Sequence, residues 1–538
     1  MSSLPTNPPA AVDAAAEARE TVPVSTPATP VAVIDVGTTS IRMAIAEIGA
    51  GRQVRTLESL SQAVSLGKDT FTRGTISKST IEDCVRALTS YRRVLDEYGI
   101  TRREHIRVVA TSAVREAQNR LSFLDRIYSA TGFDIEPIDE AEINRVTYLG
   151  ILPYLKTEPS LAEATTIVVE VGGGSTEALL VQGDEVVQAW TYRLGSLRLR
   201  ESLEEFRPST SDLRHIMDSQ IARTVAQIVE HVPEDGRIEL IALGGDVRFA
   251  AAQLVPAWDA ARVARIPVPA LEKFVDKIAA LSPDQIVHRH HIAFPEAETL
   301  APALLAYLQL AHAFRSQHIL VTNFNLRDGL LKDMARRGAW AEDFSKQIVR
   351  SAIELGRKFA FDEDHARHVA DLSRQLFRSL QDVHRLEPRY ELILYIAALL
   401  HEIGNFVSHV NHHKHSMYLI LNSELFGLSH GDLLLVALVA RYHRRSKPKS
   451  SHEGYASLDR DRRIAVSKMA ALLRVTDALE RSHSQRIHEL RCEREDDLLV
   501  ISVPETDDLS LEQLALKQKG ALFEEVFGLQ PMLRKVGG

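Results

Sequence analysis

TIVVEVGGGSTEALLVQGDEVV, residues 166–187, reads as a buried strand, a carboxylate at its end, a turn of glycine and hydroxyl residues, and a returning strand. VAVIDVGTTSIRMAIAEI, residues 31–48, repeats the device. Asp35 and Glu170 hold equivalent places, and Gly37 and Gly172 each follow two residues later. A pair of plain hairpin turns is the simplest explanation of either stretch, but the duplication weakens it. It points instead to two similar lobes whose loops face each other across a cleft.

The chemistry of such loops is anion binding. Glycine lets backbone N–H groups approach an anion closely, and successive N–H groups form a nest for it. Gly173 and Gly174 extend the second loop, and Thr38, Thr39, Ser40, Ser175 and Thr176 can add hydroxyl donors. The strand-end carboxylates cannot bind phosphate themselves, but they can hold magnesium or orient a water.

Working outward, KSTIEDCVRALTSYRRVLDEYGI (78–100) has helical apolar spacing, with Ser79 or Thr80 as N-cap and Gly99 as its stop. HIRVVATSAVR is a strand running into a loop that ends at Arg115, and NRLSFLDRIYSATGF is a helix stopped by Gly132. A long helical stretch, 211–232, leads to IELIALGGDVRFAA, a further strand with a glycine turn at Gly244 and Gly245. Alternating strands and helices give an α/β class up to about residue 340. From about 345 the pattern is helical, and thirteen of the 21 histidines lie at or beyond His365. The expected divisions are a disordered Pro/Ala-rich tail (1–30), lobe I (31–160), lobe II (161–340), a helical domain (345–490) and a small strand-containing appendix (491–538).

At 538 residues, 45% hydrophobic and 25% charged, the composition is that of a soluble globular chain. No apolar run is long enough to span a membrane. Cys84 and Cys492 are the only cysteines, so no disulfide framework is expected and a reducing cytoplasm fits. A net charge of −8 argues against nucleic-acid binding by the whole surface, so a polyanion would need a local basic lining.

The two loops resemble the phosphate-binding loops of the actin-like and sugar-kinase-like ATPase superfamily. Within it the chain is similar to exopolyphosphatase/guanosine pentaphosphate phosphatases. ATSAVREAQN (110–119), YRLGSLRLRESL (192–203), LRDGLL (326–331) and, most strongly, residues 399–448 carry the resemblance, which spans roughly 31–490. It implies two actin-like (ribonuclease H-like) lobes around a cleft, followed by an all-α HD-like domain. It also implies a homodimer that hydrolyses terminal phosphate from polyphosphate or guanosine pentaphosphate, without nucleic-acid or membrane partners. Arg115 would bind phosphate, unless it forms only a surface ion pair. Gly244 and Gly245 would serve the nucleoside or phosphate chain. Asp246 departs from the family's small hydroxyl residue, either limiting the chain's extent or serving only the turn. Magnesium (Mg2+) would sit near Asp35, Glu170 and Glu177, unless Glu177 is merely a surface acid.

Two departures qualify this expectation. The family has two adjacent glutamates before an Ala-Arg pair, the second being the base for the attacking water. In PIDEAEINRVTYLG (137–150), anchoring on Arg145 and Gly150 puts Glu142 at the first and Ile143 at the second. Hydrolysis is then expected to be slow, with Glu170 as substitute base, Glu142 as the nearest other acid, and Ile143→Glu as a rate-restoring change. In the helical region, His365, His401, Glu402 and Asp477 follow the ligand order of HD-type metal phosphohydrolases, but with Glu for Asp at 402. The extra methylene displaces that carboxylate by about 1.5 Å, which favours a structural polar network over a bound metal. His412, His413 and His415 are expected in a solvated loop, or with ARYHRRSKPK in a basic track for a polyanion. A kinase or ATPase, and a binding protein with little turnover, are the rivals from other classes.

Overall fold

A computed structural model describes residues 28–538 apart from 205–209, 234–235, 337–341, 424, 445, 504–507 and 536–538. The expected tail therefore lies almost wholly outside the described residues. The first sheet comprises β1 (Thr29–Val36), β2 (Ser40–Ile48), β3 (Val54–Ala63), β4 (Ile106–Ala110) and β5 (Ile135–Pro137), in the order β3-β2-β1-β4-β5. The second comprises β6 (Thr165–Val171), β7 (Thr176–Gln182), β8 (Glu185–Tyr192), β9 (Ile238–Leu243), β10 (Ala264–Pro267) and β11 (His318–Val321), in the order β10-β11-β9-β6-β7-β8. Each sheet opens with an antiparallel three-strand meander, and its first strand then pairs in parallel with the strand after a crossover. The duplication in sequence is thus a duplication of topology.

The apolar alternation of β1 explains where the core sits. Ala32, Ile34 and Val36 face one cluster with the helix Lys78–Glu97, while Val31 and Val33 face another with Ile143, Val146, Leu330 and Leu331. Asp35 follows Val31 and Val33 on the second face. Leu330 and Leu331 belong to the helix Leu326–Ala335, so the chain returns from lobe II and covers lobe I. The expected boundary at residue 340 misses this return, which local pattern does not encode.

The helix Lys78–Glu97 is capped by Ser77, whose hydroxyl accepts from Thr80 N–H, one turn earlier than expected. Gly99 and Gly132 adopt positive φ, Gly132 as a left-handed cap that stops its helix. Arg115 lies on a short helix, Ser112–Glu116, rather than on a loop.

The C-terminal region packs helices Glu363–Ser379, Arg389–Leu400, His430–Arg441 and Arg460–Leu479 around one apolar core. Its appendix is a three-stranded sheet, β12 (Arg491–Glu495), β13 (Leu498–Val503) and β14 (Gln530–Lys535), with helices Ser510–Lys519 and Ala521–Phe527. Cys84 and Cys492 are free thiols. No described helix is long and apolar enough to cross a membrane.

Candidate active site

The two glycine loops are closed by the same bond. Gly37 N–H donates to Ser40 C=O at 3.0 Å, and Gly172 N–H donates to Ser175 C=O at 2.9 Å. They touch: a Cβ on Gly173 would lie 2.9 Å from Thr38 Cβ and Cγ2. Only glycine permits that approach.

The carbonyls of the second loop are tethered on one side. Gly172 O accepts from Ser196 N–H, Gly173 O from Leu197 and Arg198 N–H, and Gly174 O from Arg198 Nε. This is the contribution of the 192–203 stretch. Because a trans peptide sets each N–H opposite the preceding C=O, the N–H groups of Gly173, Gly174 and Ser175 point the other way. In the first loop, Thr38 O and Thr39 O accept from Gly67 and Val64. Among the described residues, the N–H groups of Thr38, Thr39, Gly173 and Gly174 have no acceptor. These are the donors of an anion nest.

Carboxylates stand at the strand ends behind the loops. Asp35 is buried, with Oδ2 3.5 Å from Arg327 Nη1 and Oδ1 without a partner among the described residues. Burial raises its carboxyl, opposed by Arg327 and Arg42. Burial likewise raises Glu170, with Arg248 opposing and Asp35 adding to the rise. Glu177 sits across the β6–β7 ladder from Glu170 and is buried, not a surface acid. Its burial pushes it up to about 7, although Ser175 donates to it at 2.5 Å. Asp246 accepts from Thr299 at 3.1 Å, and burial pushes it up to about 6. Gly244 has φ 113° at the start of the helix Gly245–Leu254, and a Cβ there would lie 3.3 Å from Tyr307 Oη and 4.0 Å from Glu170 Cγ.

The basic lining comes from arginines inside the quoted stretches, of which the sequence singles out only Arg115 as a phosphate ligand. Arg42 faces Asp35 across the β1–β2 ladder and reaches Glu296 of the opposite lobe at 3.6 Å. Arg248 donates to Phe324 C=O at 2.8 Å, and Arg327 comes from the returning helix. Arg115 donates to Ile138 C=O at 2.7 Å and pairs with Glu140 at 2.6 Å. Glu140 also helps to raise Glu177, so the two carboxylates feel each other's charge.

Several expected site residues are placed elsewhere or already engaged. Thr176 is buried and donates to Leu194 C=O, so its hydroxyl is spent. Ser40 is buried as the first residue of β2. Glu142 does not join the cleft. It accepts twice from Arg145, at 2.7 and 2.8 Å, and once from Arg107 at 3.0 Å, while Asp333 completes the network from the returning helix. Burial would raise Glu142, but Arg145 and Arg107 overcome it and hold the carboxyl low. Ile143 is 7% exposed among Val31, Val33, Ala44 and Val109. A glutamate there would be an uncompensated buried carboxylate, so the expected rate gain from Ile143→Glu gives way to an expected loss of stability. The acid of this helix that pairs with Arg115 is Glu140, one turn before Ile143.

The expected solvated loop is instead helical. His412, His413 and His415 open the helix His412–Leu421, with His413 buried, and Lys447 pairs with Glu525. A cavity of about 1280 Å³ lies between lobe I and the helical domain. Its Arg107, Arg145, Arg378 and Arg389 are already paired with acids, so it offers little free positive charge.

The Ppx/GppA phosphatase family model matches residues 25–338, and the model of Ppx/GppA phosphatase domain III matches 349–519. The chain belongs to the Ppx/GppA phosphatase family. Among its relatives is the guanosine-5'-triphosphate,3'-diphosphate pyrophosphatase of Aliivibrio fischeri, 23% identical over 448 residues that cover 82% of this chain and 86% of that one. The protein of the same name from Aeromonas hydrophila is 24% identical over 486 residues, covering 88% and 92%. In structure, an exopolyphosphatase from Cytophaga hutchinsonii superimposes with a TM-score of 0.51 at 21% identity, covering 57% of this chain and 98% of that chain. This last likeness concerns the fold of the two lobes. The family match spans both glycine loops, and the lobes have the expected actin-like fold.

Proposed function

We propose that this Ppx/GppA member is a phosphoanhydride hydrolase that removes the terminal phosphate of inorganic polyphosphate or guanosine pentaphosphate. The observation that carries the reading is the pair of touching loops whose carbonyls are tethered away and whose tip N–H groups, at Thr38, Thr39, Gly173 and Gly174, have no acceptor among the described residues. The terminal phosphate sits against those N–H groups. Thr38 and Arg115 neutralise its oxygens, Arg115 exchanging Glu140 for phosphate. Positioning and electrostatics supply most of the catalysis in phosphoryl transfer.

Glu170 accepts the proton of the attacking water. The water oxygen forms the new P–O bond in line, the anhydride P–O bond breaks, and the shortened chain leaves as an anion. A buried carboxyl with a raised pKa suits a proton acceptor near neutral pH.

The carboxylates also fit magnesium. Asp35 has a buried oxygen without a partner among the described residues and helps to raise Glu170, which in turn helps to raise Glu177. These three do not converge as a closed cage among the described residues. Magnesium suits such an open set, because it is held by one or two carboxylates together with waters and substrate phosphate. When bound, the ion neutralises charge on the phosphate oxygens.

The protein acts in the cytoplasm as a homodimer. Phe406, Val407, Val410 and Tyr418, 54–72% exposed within one short stretch, supply apolar surface suited to pairing. Sedimentation velocity tests the dimer.

The test of function is phosphate release from long-chain polyphosphate, guanosine pentaphosphate and ATP side by side, with magnesium. Release from the first two and not from ATP is expected. Tight binding of either without release would establish a sensor instead, and phosphoryl transfer from ATP to an acceptor would establish a kinase.

A further inference from the structure

The helical domain gathers histidines whose lone pairs face one another. His443 Nδ1 lies 2.6 Å from Ala440 C=O, and His401 Nδ1 lies 2.6 Å from Ala398 C=O. Each Nδ1 must therefore carry the hydrogen, which leaves Nε2 as a bare acceptor. His412 Nδ1 is 3.2 Å from His409 C=O and follows the same logic. Yet His412 Nε2 and His443 Nε2 are only 3.2 Å apart. A hydrogen bond between them would require one ring to turn a bare Nδ1 to a carbonyl oxygen, or to become a cation, which burial opposes. Either choice exchanges one repulsion for another.

A metal ion removes the conflict. Two nitrogens about 2.1 Å from one ion, at angles between octahedral and tetrahedral, stand about 3.0–3.4 Å apart. The observed 3.2 Å falls inside that interval. Glu402 Oε1 lies 4.0 Å from His412 Nε2, within a small side-chain adjustment of the same point, and the three donor atoms lie within 4.8 Å of one another. Nearby, His401 Nε2 and both nitrogens of His365 are buried without hydrogen-bond partners among the described residues. The pocket thus carries an excess of acceptors. Imidazole fixed by a carbonyl bond at its far nitrogen is also how metal ligands are oriented.

We propose that Glu402, His412 and His443 bind one divalent transition-metal ion. Two imidazoles and a carboxylate suit zinc, cobalt, manganese or iron rather than magnesium. The neighbouring set of His365, His401 and Asp477 is the weaker candidate, because Lys519 from the appendix forms an ion pair with Asp477. An ammonium there already supplies the positive charge and repels a second cation. The longer Glu402 matters for the same reason: it reaches the His412–His443 side, so the HD-type order shifts its ligand set by one position.

The test uses tag-free full-length protein, stripped with chelator, loaded with cobalt and passed through gel filtration. About one cobalt per chain is expected, with visible d–d absorption, a raised melting temperature and reversal by chelator. His412→Gln should lose the cobalt and the absorption, whereas Asp477→Asn should keep both. If His412→Gln does not fold, the more exposed Glu402→Gln should give the same loss. Absence of cobalt after loading would leave water as the partner of these nitrogens and overturn the proposal. So would retention in His412→Gln together with loss in Asp477→Asn, which would put the ion in the other set.

Discussion

The two hairpins that frame the cleft share one backbone and differ in one cross-strand partner. Asp35 faces Arg42 across β1 and β2, whereas Glu170 faces Glu177 across β6 and β7. Opposed unlike charges stabilise a ladder, and opposed like charges destabilise it. Lobe I thus offers a carboxylate balanced by Arg42 and Arg327. Lobe II offers an acidic pair whose charge is poorly tolerated until a proton or cation arrives. One duplicated device thus carries a balanced carboxylate in one lobe and an opposed acidic pair in the other.

The harshest way to break the comparison is to separate the loops. Gly173→Val would drive a side chain into Thr38 and should abolish phosphate-chain binding, with the helical domain still folded by circular dichroism. Unchanged affinity in the folded variant would remove the loops as the site. Next comes the assignment of roles. Glu170→Gln should lower hydrolysis by about 10²–10⁴-fold, with binding of polyphosphate largely kept. If Glu170→Gln turns over normally while Asp35→Asn is inactive, the roles of the lobes are exchanged.

Glu142 marks the contrast between cleft and scaffold. Glu142→Ala leaves Asp333 to balance both Arg107 and Arg145, so the loss should stay below the about 3–5 kcal/mol of a fully broken buried pair. Denaturant melts should show that loss while the KM of the remaining folded enzyme is unchanged.

A smaller effect sharpens the view of Glu177. Its carboxyl stands near 7 in the fold and at 4.5 when unperturbed. The raised value stabilises fully below 4.5, and that contribution disappears as pH rises through about 7. Wild-type stability should decline between pH 5 and 8, by roughly 3 kcal/mol at most from this group. Glu177→Gln should decline less, as measured by urea melts at both values. The smallest expected change is at Glu140. Glu140→Gln releases Arg115 and should tighten polyphosphate binding a few-fold, read by calorimetry.

The loops were legible because glycine, hydroxyl and acid positions repeat locally, and the register that pairs Gly37 with Ser40 follows from a short turn. The arginines were not. Arg248 and Arg327 enter from helices far along the chain, and no local spacing marks their meeting with Glu170 and Asp35. Glu142 and Ile143 show the other limit. Sequence order placed them near the chemistry, but the helix from Glu140 turns Glu142 toward Arg107 and Asp333 and sinks Ile143 into the core. The helix at His412 was also hidden: it begins from Asn411 at φ 59° with no side-chain cap, so nothing in HHKH announces it. The appendix looked chemically silent, yet it supplies Lys519.

The returning helix has a mechanical consequence. The chain leaves lobe I between Thr157 and Thr165 and comes back between Val321 and Leu326. The two helices beside these crossings are almost in backbone contact, since a Cβ on Gly329 would lie 2.4 Å from Val146 Cγ1 and 2.8 Å from Val146 O. Two crossings side by side act like the pins of a door. A swing of one lobe about the line that joins them would turn a slight rotation there into a wide excursion at the distant loop tips. Asp139, which caps the helix Glu140–Thr157, also accepts from His430 N–H at 2.7 Å. The frame of that door is therefore bolted to the helical domain.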